Sequence, residues 1–117
     1  MSSLLTQTYT GLSVHYDKEI AARCGLEAAV LFTHLCFWLS QNKAANRYFF
    51  EGRTWMFQPM KEIAAIYHYI PQKQIAKGFE TLVNAGLIVE GNFHEDKSNK
   101  EKWYAFADQS ILSSINP

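Results

Sequence analysis

Charge of one sign is missing from this sequence: its 117 residues carry 11 basic and 11 acidic side chains, a formal net charge of zero. That excludes the broad basic surface with which many domains hold phosphate, and leaves any such affinity to the placement of individual lysines. Long hydrophobic runs are missing too. The longest, from Ala28 to Leu39, is interrupted by Thr33 and His34 and suits a buried core helix, not a bilayer span of about 20 residues. The first residues lack the basic start and long apolar stretch of a signal peptide, so the chain is read as cytoplasmic. Cysteine is scarce. Cys24 and Cys36 have no Cys-x-x-Cys spacing and read as buried small hydrophobes in a reducing compartment, with a disulfide the minority reading. Glycines occur singly, so no phosphate-cradling loop is present. His15, His34, His68 and His94 are scattered without His or Cys partners at ligand spacing, and read as surface or turn histidines. Glu95-Asp96 lies in a Lys- and Asn-rich loop, where a solvated turn is the plain explanation. With no nucleophile and base, carboxylate pair or metal cluster, no enzyme, cofactor or metal is expected.

What is present is a sequence of globular composition, 48% hydrophobic and 15% aromatic, sized for one domain with a modest core. Residues 16–24 read as a short helix closed by Gly25. From Leu26 to about Gln41 follows a helix apolar almost all round, with only Glu27, His34 and Gln41 forming a thin polar stripe. A short chain covers such a helix incompletely, which predicts a homodimer interface including Phe37 or Trp38. Residues 41–46 read as a polar linker. Residues 47–50 and 54–57 flank Glu51-Gly52-Arg53 and predict a β-hairpin whose aromatics alternate between core and surface. Exposed ones among them would suit stacking on single-stranded bases, the minority reading beside core or partner packing. After Pro59, residues 60–67 predict a short helix with Met60, Ile63, Ala64 and Tyr67 inward.

Residues 70–89 carry the most information. Ile75, Phe79, Leu82 and Val83 fall at helical spacing, leaving Lys73, Lys77, Glu80 and Asn84 outward. Gly86 stands where a helix end needs a left-handed residue, and Leu87-Ile88-Val89 has strand character. A polar link from Gly91 to Lys102 leads to a second strand, Trp103-Tyr104-Ala105-Phe106. Helix, strand, loop, strand is the second half of a winged helix-turn-helix, whose helix usually enters the DNA major groove. The expected fold class is therefore α+β, mainly α: a winged helix-turn-helix with an additional N-terminal helix pair and a β-hairpin wing. Residues 1–15 are read as an arm, 16–107 as the domain, and 108–117 as a short helix, begun by the Asp108 side chain, or a tail.

Gly25-Leu26-Glu27-Ala28, Phe37-Trp38-Leu39, Gly52-Arg53-Thr54-Trp55, the Lys73–Ile88 helix and strand, and Lys102-Trp103-Tyr104 occur in the order of a known family. The chain resembles the N-terminal winged-helix domain of phage and plasmid replication initiators, including the replisome organisers of Gram-positive phages. The resemblance covers about residues 16–106. Pro71 stands where that family usually places a serine, and the wing is neutral in charge. The family's initiators continue into a helicase-recruiting domain, which is not expected within these residues.

Two functional expectations follow. In the first, the protein binds double-stranded DNA in replication initiation or regulation of a mobile element. Gln72, Lys73, Gln74 and Lys77 lead the recognition helix, while Lys97, Lys100 and Lys102 anchor the wing to phosphate. In the second, it is a non-catalytic interaction module that dimerises or docks on a host or replication complex without appreciable DNA binding. The zero net charge and apolar central helix favour the second.

Overall fold

The computed structural model describes residues 18–111, so the arm at residues 1–15, the expected first residues of the opening helix and most of the C-terminal segment lie outside the described residues. Among the described residues the named elements follow in the order α1 (Lys18–Cys24), α2 (Leu26–Ala44), β1 (Phe49–Phe50), β2 (Arg53–Thr54), α3 (Met60–Ile66), α4 (Gln72–Asn84), β3 (Ile88–Gly91) and β4 (Trp103–Phe106). The fold is α+β, with two small antiparallel hairpins, β1–β2 and β3–β4. Among the described residues no helix is long and apolar enough to cross a membrane.

The core forms where α2, α4 and the β3–β4 hairpin meet. Ile75, Phe79 and Leu82 on one stripe of α4 are fully buried against Leu31 and Leu35 of α2. Gly78 lets these helices approach closely, since a Cβ there would lie 2.6 Å from Leu31 Cδ1. The end of α4 is a full Schellman stop: Gly86 N–H donates to Val83 O at 3.0 Å and Leu87 N–H to Leu82 O at 3.1 Å. Gly86 adopts φ 78°, which costs a glycine little, and the chain leaves directly into β3.

β4 lies between β3, with Ile88 opposite Phe106 and Gly91 opposite Trp103, and a bridge to Met56. Covered on both edges, it buries all its side chains and serves two clusters by strand alternation. Tyr104 and Phe106 join the main core, while Trp103 and Ala105 join Trp55 in a second cluster with Phe57, Val89 and Phe93 packed on it. Arg53 ties the β1–β2 hairpin to the end of β4 by donating Nη1 to Phe106 O and Ala107 O at 2.9 and 2.8 Å.

Three expectations are corrected. Residues 41–46 are not a linker: α2 continues to Ala44 because its polar end is used internally. Buried Asn42 donates Nδ2 to Trp55 O at 2.9 Å and accepts Arg47 Nε at 2.9 Å. His34 is not a surface residue but is buried between Gln58 and Tyr67. The β1–β2 turn has two residues, not three, since Phe50 pairs with Arg53.

Glu51 and Gly52 both have positive φ, 54° and 77°, which defines a type I′ turn. A glutamate in the left-handed region is strained by about 1–2 kcal/mol, whereas asparagine tolerates it. Glu51→Asn is therefore expected to stabilise the fold by about 0.5–1 kcal/mol, measured by urea unfolding.

His34 supplies a pH dependence. Its Nε2–H donates to Gln58 Oε1 at 2.8 Å, and the Tyr67 hydroxyl donates to Nδ1 at 3.0 Å. Burial lowers its pKa below the ordinary 6.5, so the neutral ring is the folded form. As pH falls through 6.5 the unfolded chain takes up a proton that the folded chain resists, and stability is lost. Thermal melts should show a drop in Tm from neutral to mildly acid pH that is shallower in His34→Gln, whose amide supplies both a donor and an acceptor.

Candidate nucleic-acid interface

The turn at residues 67–71 delivers the chain from α3 into α4 with Pro71 as the cap residue, φ −62° and ψ 152°. Ile70, fully buried, anchors this entry, while Tyr69 is left exposed. Proline offers no side-chain cap, and the first turn of α4 holds no acidic residue. Gln74 and Ile75 N–H groups turn back to Pro71 O. The helix thus presents an uncapped positive end with Lys73 in its first turn. By itself this arrangement disfavours the helix, but it suits an anion.

Lys73 and Lys77, four residues apart on the solvent face, line a cleft of about 480 Å³ whose other wall is the β3–β4 hairpin. Lys100 and Lys102 come from that wall, and Phe57, Met60, Ala76 and Tyr104 contribute its apolar surface. Four of the seven expected contact residues are therefore brought together. Gln72 and Gln74 are exposed on α4 outside the cleft lining, and Lys97 is exposed in the loop at residues 92–102, away from it.

The cleft also holds Glu80, Glu90 and Glu101. Glu90 Oε2 lies 3.3 Å from Lys102 Nζ in a half-exposed ion pair, so Lys102 is partly neutralised. Burial, with Glu90 and Glu80 nearby, raises the Tyr104 hydroxyl to about 12 and keeps it protonated. Its other face stacks on Phe79 with centroids 4.4 Å apart.

The loop at residues 92–102 is stitched by local bonds. Asn92 Nδ2 donates to Asn99 O, His94 Nε2–H to Glu101 O, and Glu101 N–H to Asn99 Oδ1, at 2.8, 3.0 and 2.9 Å. Asp96 accepts both the hydroxyl and the N–H of Ser98, which lower its carboxyl pKa. Phe93 and His94 fold back onto Trp55, Phe57 and Trp103 with centroid distances of 4.6–6.0 Å. Sequence reading missed these two as anchors, because a single aromatic inside a polar link gives no periodic signal.

Of the expected dimer residues, Phe37 is 44% exposed, while Trp38 is half-buried and packed against the core. Cys24 and Cys36 are half-buried against the same core. Among the described residues no group of three or more His, Cys, Asp or Glu is arranged to hold a metal ion.

No protein-family model matches the chain, and no curated protein matches it. A solved structure of the N-terminal domain of a DNA-binding protein is similar across 95% of this chain and 94% of that one, with a TM-score of 0.63 and 13% identity. At that identity the likeness establishes a shared fold.

Proposed function

We propose that this protein is a winged helix-turn-helix protein that binds double-stranded DNA, with α4 in the major groove and the β3–β4 hairpin as its wing. The observation that carries this reading is the uncapped, acid-free start of α4 with Lys73 and Lys77, facing Lys100 and Lys102 across one cleft. A phosphate backbone running between helix and wing meets cations and helix N–H groups from one wall and lysines from the other. Gln72 and Gln74 lie exposed beside this track and carry the amides that pair bidentately with adenine. The fold shared with a domain of a DNA-binding protein supports the same reading. A role in phage or plasmid replication initiation or its regulation is the finer reading, and rests on the sequence resemblance. The reading assigns the protein no catalytic step.

Hydrogen exchange with and without a duplex tests the location. Slower exchange is expected in α4 and in residues 92–102. Duplex binding that leaves both unchanged would place the contact elsewhere and overturn the reading.

Self-association is a separate proposal, favoured by Phe37 being 44% exposed beside Trp38. A monomer by light scattering at high micromolar concentration would refute it.

A further inference from the structure

We propose a second site, for single-stranded nucleic acid, formed by Phe49 of the β1–β2 hairpin with Lys43 and Arg47 at the end of α2. Phe49 is 65% exposed, the most exposed large apolar side chain among the described residues. It borders a cleft of about 310 Å³ that Lys43, Arg47, Asn42 and Asn46 also line. Among the described residues no carboxylate lines this cleft, Glu51 standing next to the lining residue Gly52, and none lines both it and the α4 cleft. Lys43 and Arg47 are the charged residues among those that line the cleft, an arrangement that suits a phosphodiester backbone.

The backbone is shaped to this end. Asn46, φ 59°, closes α2 as a Schellman stop, with its N–H on Lys43 O and Arg47 N–H on Asn42 O. Arg47 is then held by its Nε bond to Asn42 Oδ1, with the guanidinium carbon 5.7 Å from the Tyr48 ring centroid. Tyr48 has φ 59° outside any helix stop or tight turn, a strained conformation for an aromatic residue. This kink lies between the oriented cation and the exposed ring.

The neighbouring aromatics are engaged. Tyr48 packs edge-on against Trp103 at 5.4 Å, and Phe50 stacks on Phe93 at 4.8 Å. Tyr48 and Phe50 are themselves 44% and 37% exposed, but their rings rest on Trp103 and Phe93, and Phe49 at 65% is the most open of the three. An open aromatic face beside cations matches an unstacked base and its phosphates, which a duplex does not offer.

The test is anisotropy of a fluorescein-labelled oligothymidylate of about 12 nucleotides with the full chain in about 50 mM salt. Wild type is expected to bind. Phe49→Ala should weaken binding about tenfold and Lys43→Glu should weaken it and flatten its salt dependence. Lys73→Glu/Lys77→Glu should weaken it far less than it weakens duplex binding. Circular dichroism checks that each variant is folded. Absence of binding by wild type, binding indifferent to Phe49→Ala, or a loss on Lys73→Glu/Lys77→Glu as large as that for the duplex would each overturn the proposal. So would a change of oligomeric state in Phe49→Ala with oligonucleotide binding intact. A parallel duplex titration keeps the α4 reading separately testable.

Discussion

Lys73→Glu/Lys77→Glu is expected to lower duplex DNA affinity by about 100-fold at low salt. Both side chains are exposed and line the cleft between α4 and the β3–β4 hairpin. Reversal removes two phosphate contacts and adds two repulsions to a cleft that already contains Glu80, Glu90 and Glu101. The fold should not suffer. A glutamate in the first turn of an uncapped helix interacts favourably with the helix dipole, by about 0.3–1 kcal/mol, so Lys73→Glu offers no route to unfolding. Fluorescence anisotropy with a labelled duplex, paired with thermal melts, separates the effects. Loss of binding at unchanged or raised Tm supports the interface, while equal binding by both proteins contradicts it.

Phe79→Ala is expected to be the most damaging single truncation, at about 3–5 kcal/mol. The ring is fully buried on the inner stripe of α4 and stacks on Tyr104 at an interplanar angle of 9°. It thereby joins α4 to the middle strand of the β-structure. Truncation leaves a cavity between them and removes that stacking contact. For a domain of this size, with total stability of about 5–15 kcal/mol, much of the folded population is at stake. Urea unfolding should show a markedly lower midpoint, and a change below about 1 kcal/mol would contradict this placement of the core.

The same helix shows why parts of the fold were legible. Ile75, Phe79 and Leu82 announce a buried stripe by spacing alone, and Gly86 followed by apolar residues marks both the stop and the next strand. The structure places α4 at Gln72–Asn84 and β4 at Trp103–Phe106, as that pattern implies. Asn42 and His34 were not legible, because the partners that make burial tolerable lie 13 and 24–33 residues away. A polar residue at a helix end looks like linker until its acceptor, Trp55 O, is known. The hairpin turn was misread by one residue, because the strain at Glu51 has no signature in sequence.

The candidate interface was legible in the same uneven way. Lys73 and Lys77 follow from helical spacing, and the balance of acids and bases along residues 71–102 can be counted. The ion pair between Lys102 and Glu90 depends on the antiparallel register that sets Gly91 opposite Trp103. Pro71 carries a different meaning once seen in place. The missing side-chain cap leaves the helix end open to an anion, so the residue that departs from the related pattern strengthens the positive end of α4.

The central claim, that placed lysines hold a DNA backbone in a chain of zero net charge, is tested most directly by the salt dependence of duplex affinity. Lys73, Lys77 and Lys100 are the cleft lysines outside the Glu90 ion pair. Each phosphate they neutralise contributes about −0.9 to the slope of log affinity against log salt concentration, which predicts a slope of about −3. A slope near zero, or no duplex binding at about 50 mM salt, would contradict the account.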